Sequence, residues 1–117
     1  MAVMLNVEDV VRGLKRLKSL AKQDLLVSSR TANPAFWSTH ADARKQAYED
    51  LIAMVSEQGV SATYDHAIRE YLNLPDGDES DARLKGREQA LEMFLQTLGV
   101  DKQTLAELRA SRPGVQA

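Results

Sequence analysis

His66 and Glu70 stand four residues apart, a spacing that sets two side chains on one helical face, so they are the first pair here that could share a metal ion. A structural metal site needs more ligands than these two. The other histidine, His40, falls in a different segment, and the chain has no cysteine. Thiolate ligands, disulfides and cysteine nucleophiles are therefore excluded together. The acidic run Asp76-Gly-Asp-Glu-Ser-Asp81 invites a calcium reading and does not meet its rules. Counted from Asp76, the sixth position is Asp81 where an EF-hand loop needs glycine, and the twelfth is Arg87 where it needs a bidentate glutamate. The run reads instead as a solvated turn that caps the following helix. No Gly-x-Ser-x-Gly elbow, Gly-x-Gly-x-x-Gly turn, phosphate loop or His-Glu-x-x-His pair occurs. The expectation is a non-enzyme with no cofactor and no metal.

Residues suited to recognition are easier to find. Phe36 and Trp37 are adjacent large aromatics, which either plug the end of a core or present a binding hot spot. Val7, Val10, Leu14 and Leu17 form an apolar stripe at alternating spacings of three and four. Beside it lie Arg12, Lys15, Arg16, Lys18 and Lys22, with no acid among them. Val7, Val10, Leu14, Leu17, Phe36 and Trp37 are the candidate partner-binding residues.

The elements that must position these residues are helical throughout. There is no sustained alternation of period two and no hairpin turn between β-branched residues. The expected fold is all-α: a small bundle of about five helices forming one domain over 1–117, with an N-terminal amphipathic helix followed by two αα-hairpins. Helix 1 runs from about Val7 to Leu26, with Asn6 as N-cap and Glu8 and Asp9 in the first turn. Residues 27–38 read as a long loop, because Pro34 disfavours a helical conformation at Asn33. Helix 2 begins near Thr39, whose Thr-His-Ala-Asp pattern has capping-box form, and ends at Gly59. Helix 3 starts after Ser61, helix 4 after Ser80, and helix 5 at Asp101, leaving a frayed tail over 111–117. Arg44-x-Gln-Ala-x-Glu49 recurs as Arg87-x-Gln-Ala-x-Glu92, and Gly59-Val-Ser recurs as Gly99-Val-Asp. Convergence on tight αα-turns is the favoured account, since two units fall short of the three or more that repeat architectures need.

Helices 2 and 3 set up an alternative function. The segment Val60-Ser-Ala-Thr-Tyr-Asp-His-Ala-Ile68 resembles the entry of a helix-turn-helix recognition helix, a likeness confined to about residues 44–72. As a DNA-binding transcriptional regulator, the protein would contact bases or phosphates through Ser61, Thr63 and Arg69. Two features oppose this. Val55 stands where the motif uses alanine four residues before the turn glycine, and residues 38–74 carry three basic against six acidic side chains. A phosphate-binding face needs the opposite sign.

Net charge is −2 over 117 residues, with 44% hydrophobic and 27% charged content, as in an ordinary soluble domain. That near-neutrality is the sum of unlike parts. Residues 1–37 hold six basic and three acidic side chains, while 38–117 hold nine basic and fourteen acidic. The positive charge lies away from the segment that resembles a DNA reader, which points away from nucleic acid. No apolar run is longer than that of Leu51–Val55, far short of a membrane span, and the start shows no basic leader region. The expectation is a cytosolic protein that acts by binding another protein, as a regulator, adaptor or inhibitor. A homodimer is expected if the bundle leaves part of the helix 1 stripe uncovered.

Overall fold

In a computed structural model of the chain, residues 5–75 and 80–112 are described. They form five α-helices and no strand: α1 Val7–Val27, α2 Pro34–Gln58, α3 Val60–Asn73, α4 Ala82–Thr97 and α5 Lys102–Ala110. The all-α bundle is as expected. Asn6 caps α1, its side-chain oxygen accepting from the Asp9 N–H at 2.8 Å, and Asp101 caps α5 by accepting from Thr104 N–H at 2.7 Å. Gly99, at φ 103°, ends α4 in a Schellman turn. Val100 N–H bonds Leu95 O at 3.0 Å, and the Val100 side chain is buried against the core.

The loop expected over 27–38 is not there. α1 continues to Val27, a 3-10 turn covers Ser28–Arg30, and α2 begins at Pro34. The restriction that proline imposes on its predecessor is real, for Asn33 sits at φ −136°, ψ 77°. A non-helical backbone is what an N-cap requires, and Asn33 accepts from Phe36 N–H at 3.3 Å with Pro34 in the first helical position. Pro34 therefore starts a helix where it was read as delaying one. Thr39 lies in its second turn.

The two expected αα-hairpins are also replaced. Gly59 alone separates α2 from α3, at φ 91°, and a packed antiparallel hairpin needs two to five connecting residues. α3 accordingly leaves at an angle. α2 packs most extensively on α1 and on α4, and α5 rests mainly on α3. The core gathers Val10, Leu14 and Ala21 of α1, Tyr48, Leu51 and Val55 of α2, Ala67 and Tyr71 of α3, and Leu91, Phe94 and Leu95 of α4. The result is a slab 42 × 38 × 22 Å, about two helix diameters thick.

Where α2 crosses α4, Gly86 meets Ala43, the equivalent position of the repeated motif. A Cβ on Gly86 would lie 3.1 Å from Ala43 Cβ and would collide with the His40 carbonyl oxygen. Each motif copy binds the helix that precedes it. Arg44 pairs with Asp24 of α1 and Glu49 with Lys18 of α1. Arg87 pairs with Glu70 of α3, and Glu92 accepts from the Tyr71 hydroxyl at 2.7 Å. The corresponding units are therefore α1–α2 and α3–α4, one helix earlier than the sequence pairing.

The C-terminal end of the described chain is fastened. Arg112 is 3% exposed, its Nε donating to Tyr71 O at 2.8 Å and its Nη1 to Glu88 Oε2 at 2.6 Å, with the guanidinium stacked 4.4 Å from the Tyr71 ring centre. Fraying from Ser111 is thus corrected for Ser111 and Arg112, while residues 113–117 lie outside the described residues.

Candidate interaction surface

The first turn of α2 carries an aromatic column, because helical spacing of three and four aligns Phe36, Trp37 and His40. The Trp37 ring meets Phe36 edge-on at 4.9 Å and His40 at 5.2 Å, and Phe36 stacks on His40 at 5.9 Å. His40 is nearly buried and Phe36 half-buried, whereas Trp37 is 45% exposed. Trp37 forms a ridge between two hollows. One, of about 180 Å³, is lined by Asp24, Val27, Thr31, His40 and Arg44. The other is open and lies between the start of α2 and the Ser80–Arg83 segment.

The end of α1 continues this surface. Leu26 is 81% exposed, Val27 47% and Leu20 48%, one helical face apart from the buried stripe. The corner that holds α1 and α2 together is hydrogen-bonded, since the Ser28 hydroxyl donates to Leu25 O at 2.7 Å and Thr31 N–H to Ser28 O at 3.1 Å. Beneath it, Arg44 and Asp24 form an ion pair between the helices, with Arg44 largely buried and its Nε without a partner. Burial pushes the His40 imidazole below its ordinary 6.5, the Arg44 charge pushes it further the same way, and Asp24 opposes both.

The structure sorts the sequence candidates. Val10 and Leu14, at 1% and 0% exposure, are core residues covered by the fold and offer no surface to a partner. Leu17 is partly buried against the same core, and Val7 is exposed at the opposite end of α1 from Trp37. The stripe on which the homodimer expectation rested is thus largely covered. Leu20, Leu26, Val27 and Asp24 are not among the sequence candidates, and Arg44 enters the sequence reading only through the repeated motif. Asp24 interrupts the apolar phase of helix 1, the one signal that could have marked it as a partner for a neighbouring helix.

The helix-turn-helix residues do not form one reading face. Ser61 and Arg69 are exposed, but Thr63 is 0% exposed and its hydroxyl donates to Gly59 O at 2.8 Å. The one-residue junction at Gly59 also differs from the three- or four-residue turn of that motif. His66 pairs with Glu70 at 3.3 Å, and no group of three or more acidic or histidine side chains suited to a metal occurs among the described residues. The first part of the acidic run, Asp76–Glu79, lies outside the described residues, and Asp81 caps α4 by accepting from Leu84 N–H at 3.1 Å. No helix among the described residues is long and apolar enough to cross a membrane.

Comparison with protein-family profiles, with curated proteins and with solved structures finds no match for this chain.

Proposed function

We propose that this chain acts by binding another protein, as a non-enzymatic regulator, adaptor or inhibitor, through the Trp37 ridge and the adjoining end of α1. One observation carries the reading: Trp37 and Val27 are large apolar side chains left exposed around one hollow, with Leu26, the most exposed large apolar residue among the described ones, next to Val27 in the last turn of α1. Such patches are uncommon on monomers without a binding role, and tryptophan is enriched among residues that dominate binding energy. A second copy of the chain is one form the partner could take, giving a homodimer. The cysteine-free composition supports a reducing, cytosolic setting.

Trp37→Ala tests this directly. Because the ring is only about half covered, truncation should cost about 1–2 kcal/mol of stability, below the value for a buried aromatic. Binding of a partner captured from the native host's lysate should weaken by about 2 kcal/mol or more. Undiminished capture by a folded Trp37→Ala variant would remove the basis for the proposal.

A further inference from the structure

Charge and apolar surface meet on the outward face of α1. Lys15 and Lys22 lie seven residues apart, about 10 Å along one flank, and Arg16 lies on the other flank of the same face. All three are exposed and none forms an ion pair with a described residue. Their neighbours on the helix behave differently, since Arg12 pairs with Asp9 at 3.1 Å and Lys18 with Glu49 at 3.0 Å. Leu20 lies between Arg16 and Lys22 along the helix, Leu26 beyond them near its end, and Val27 leads on to Trp37.

We infer that this face docks an acidic amphipathic segment of a partner protein, with several Asp or Glu side chains beside two or three apolar ones. The inference rests on the protein-binding reading above and supplies the chemistry of the partner. Unpaired cations call for carboxylates, and the exposed Leu26, Val27 and Trp37 call for apolar side chains placed among them. A second copy docking by the same face would set Lys15, Arg16 and Lys22 against their own equivalents. Duplex nucleic acid matches the cations but has no means of covering Leu26 and Val27. An interfacial membrane helix needs an apolar face along its length, and the long stripe of α1, Val10, Leu14 and Ala21, is consumed by the core.

Selection from a phage-displayed library of random peptides of about sixteen residues, long enough for four helical turns, tests the inference on the full chain. Enriched peptides should carry a clear excess of Asp and Glu together with Leu, Phe or Met. The best of them should shift the emission of Trp37, the chain's single tryptophan. Its affinity should fall with added salt, and by about tenfold in the combined variant Lys15→Gln, Arg16→Gln, Lys22→Gln. Leu26→Ser, at a side chain that contributes little to the fold, should weaken it several-fold with unchanged melting. Neutral or basic enriched peptides, or equal binding by the charge-neutral variant, would overturn the inference. So would tighter binding to vesicles containing phosphatidylserine, or a concentration-dependent doubling of mass that the charge-neutral variant removes. Neutral peptides that depend on Trp37 would leave the protein-binding reading standing and end only the acidic partner. No enrichment above an unrelated bait would end both.

Discussion

His40 sits beneath Phe36 and Trp37 with Arg44 beside it, so adding a proton there means placing a second positive charge in a poorly hydrated pocket. Its folded pKa lies below the unfolded 6.5, and between these two values the unfolded chain binds more protons than the folded one. The stability that follows is present in full above pH 6.5 and is lost as pH falls through the folded pKa. Thermal unfolding followed at pH values descending from 7.5 should show a falling midpoint below about 6.5. His40→Gln should remove that part of the slope, and an unchanged slope would show that His40 is not its source. In the sequence, His40 was visible only as a lone histidine that could not complete a metal site. Its role in supporting Trp37 depends on both residues sharing the first two turns of α2, which no spacing shows until the start of that helix is known. Phe36 and Trp37 were legible because large aromatics carry their chemistry in their type. Leu26 and Val27 were not, since an apolar residue at a helix end looks the same whether it is covered or exposed.

Most helix ends were legible, because their signals are local. Asn6, Asp81, Asp101 and the left-handed Gly59 and Gly99 all mark boundaries through bonds to residues within a turn or so. The start of α2 was misread although its signal is equally local, because Asn33-Pro34 can both exclude a helix at one residue and begin it at the next. Pairings between helices were not legible, for periodicity shows which face is apolar and not what covers it. This is why Val10 and Leu14 read as partner surface. Gly86 did carry a hint, as a glycine inside an otherwise regular helical pattern often marks a close approach of two backbones. Alanine in a helix interior is ordinarily better than glycine by about 1 kcal/mol. Gly86→Ala should reverse that sign, because its methyl group would collide with the His40 carbonyl and force α2 and α4 apart, at a net cost of about 1–3 kcal/mol. A denaturant titration that found the variant more stable than the parent would mean that α2 and α4 do not cross there.

At the scale of the molecule, the near-neutral total conceals a basic first third and an acidic remainder. The fold joins these parts with ion pairs of both polarities, Lys18 to Glu49 and Asp24 to Arg44, and leaves Lys15, Arg16 and Lys22 facing outward. The Lys18 hydrogen bond, aided by the Lys18, Lys45 and Lys22 charges, holds the Glu49 carboxyl below its ordinary range. Glu49 is exposed and Lys18 partly so, so salt screens the attraction and the pair adds little to stability. Cohesion comes instead from the way α2 is enclosed. It lies between α1 and α4, and it cannot detach from either without baring Tyr48, Leu51 or Val55. Local opening is therefore closed to it, and its central amides should exchange with heavy water only when the whole chain unfolds. The slowest protons in the molecule should be those of Tyr48 to Val55, with Phe94 and Leu95 close behind and the amides of α5 exchanging far sooner. α2 thus sets the tempo of exchange for the molecule, because releasing it dissolves the core on both sides at once.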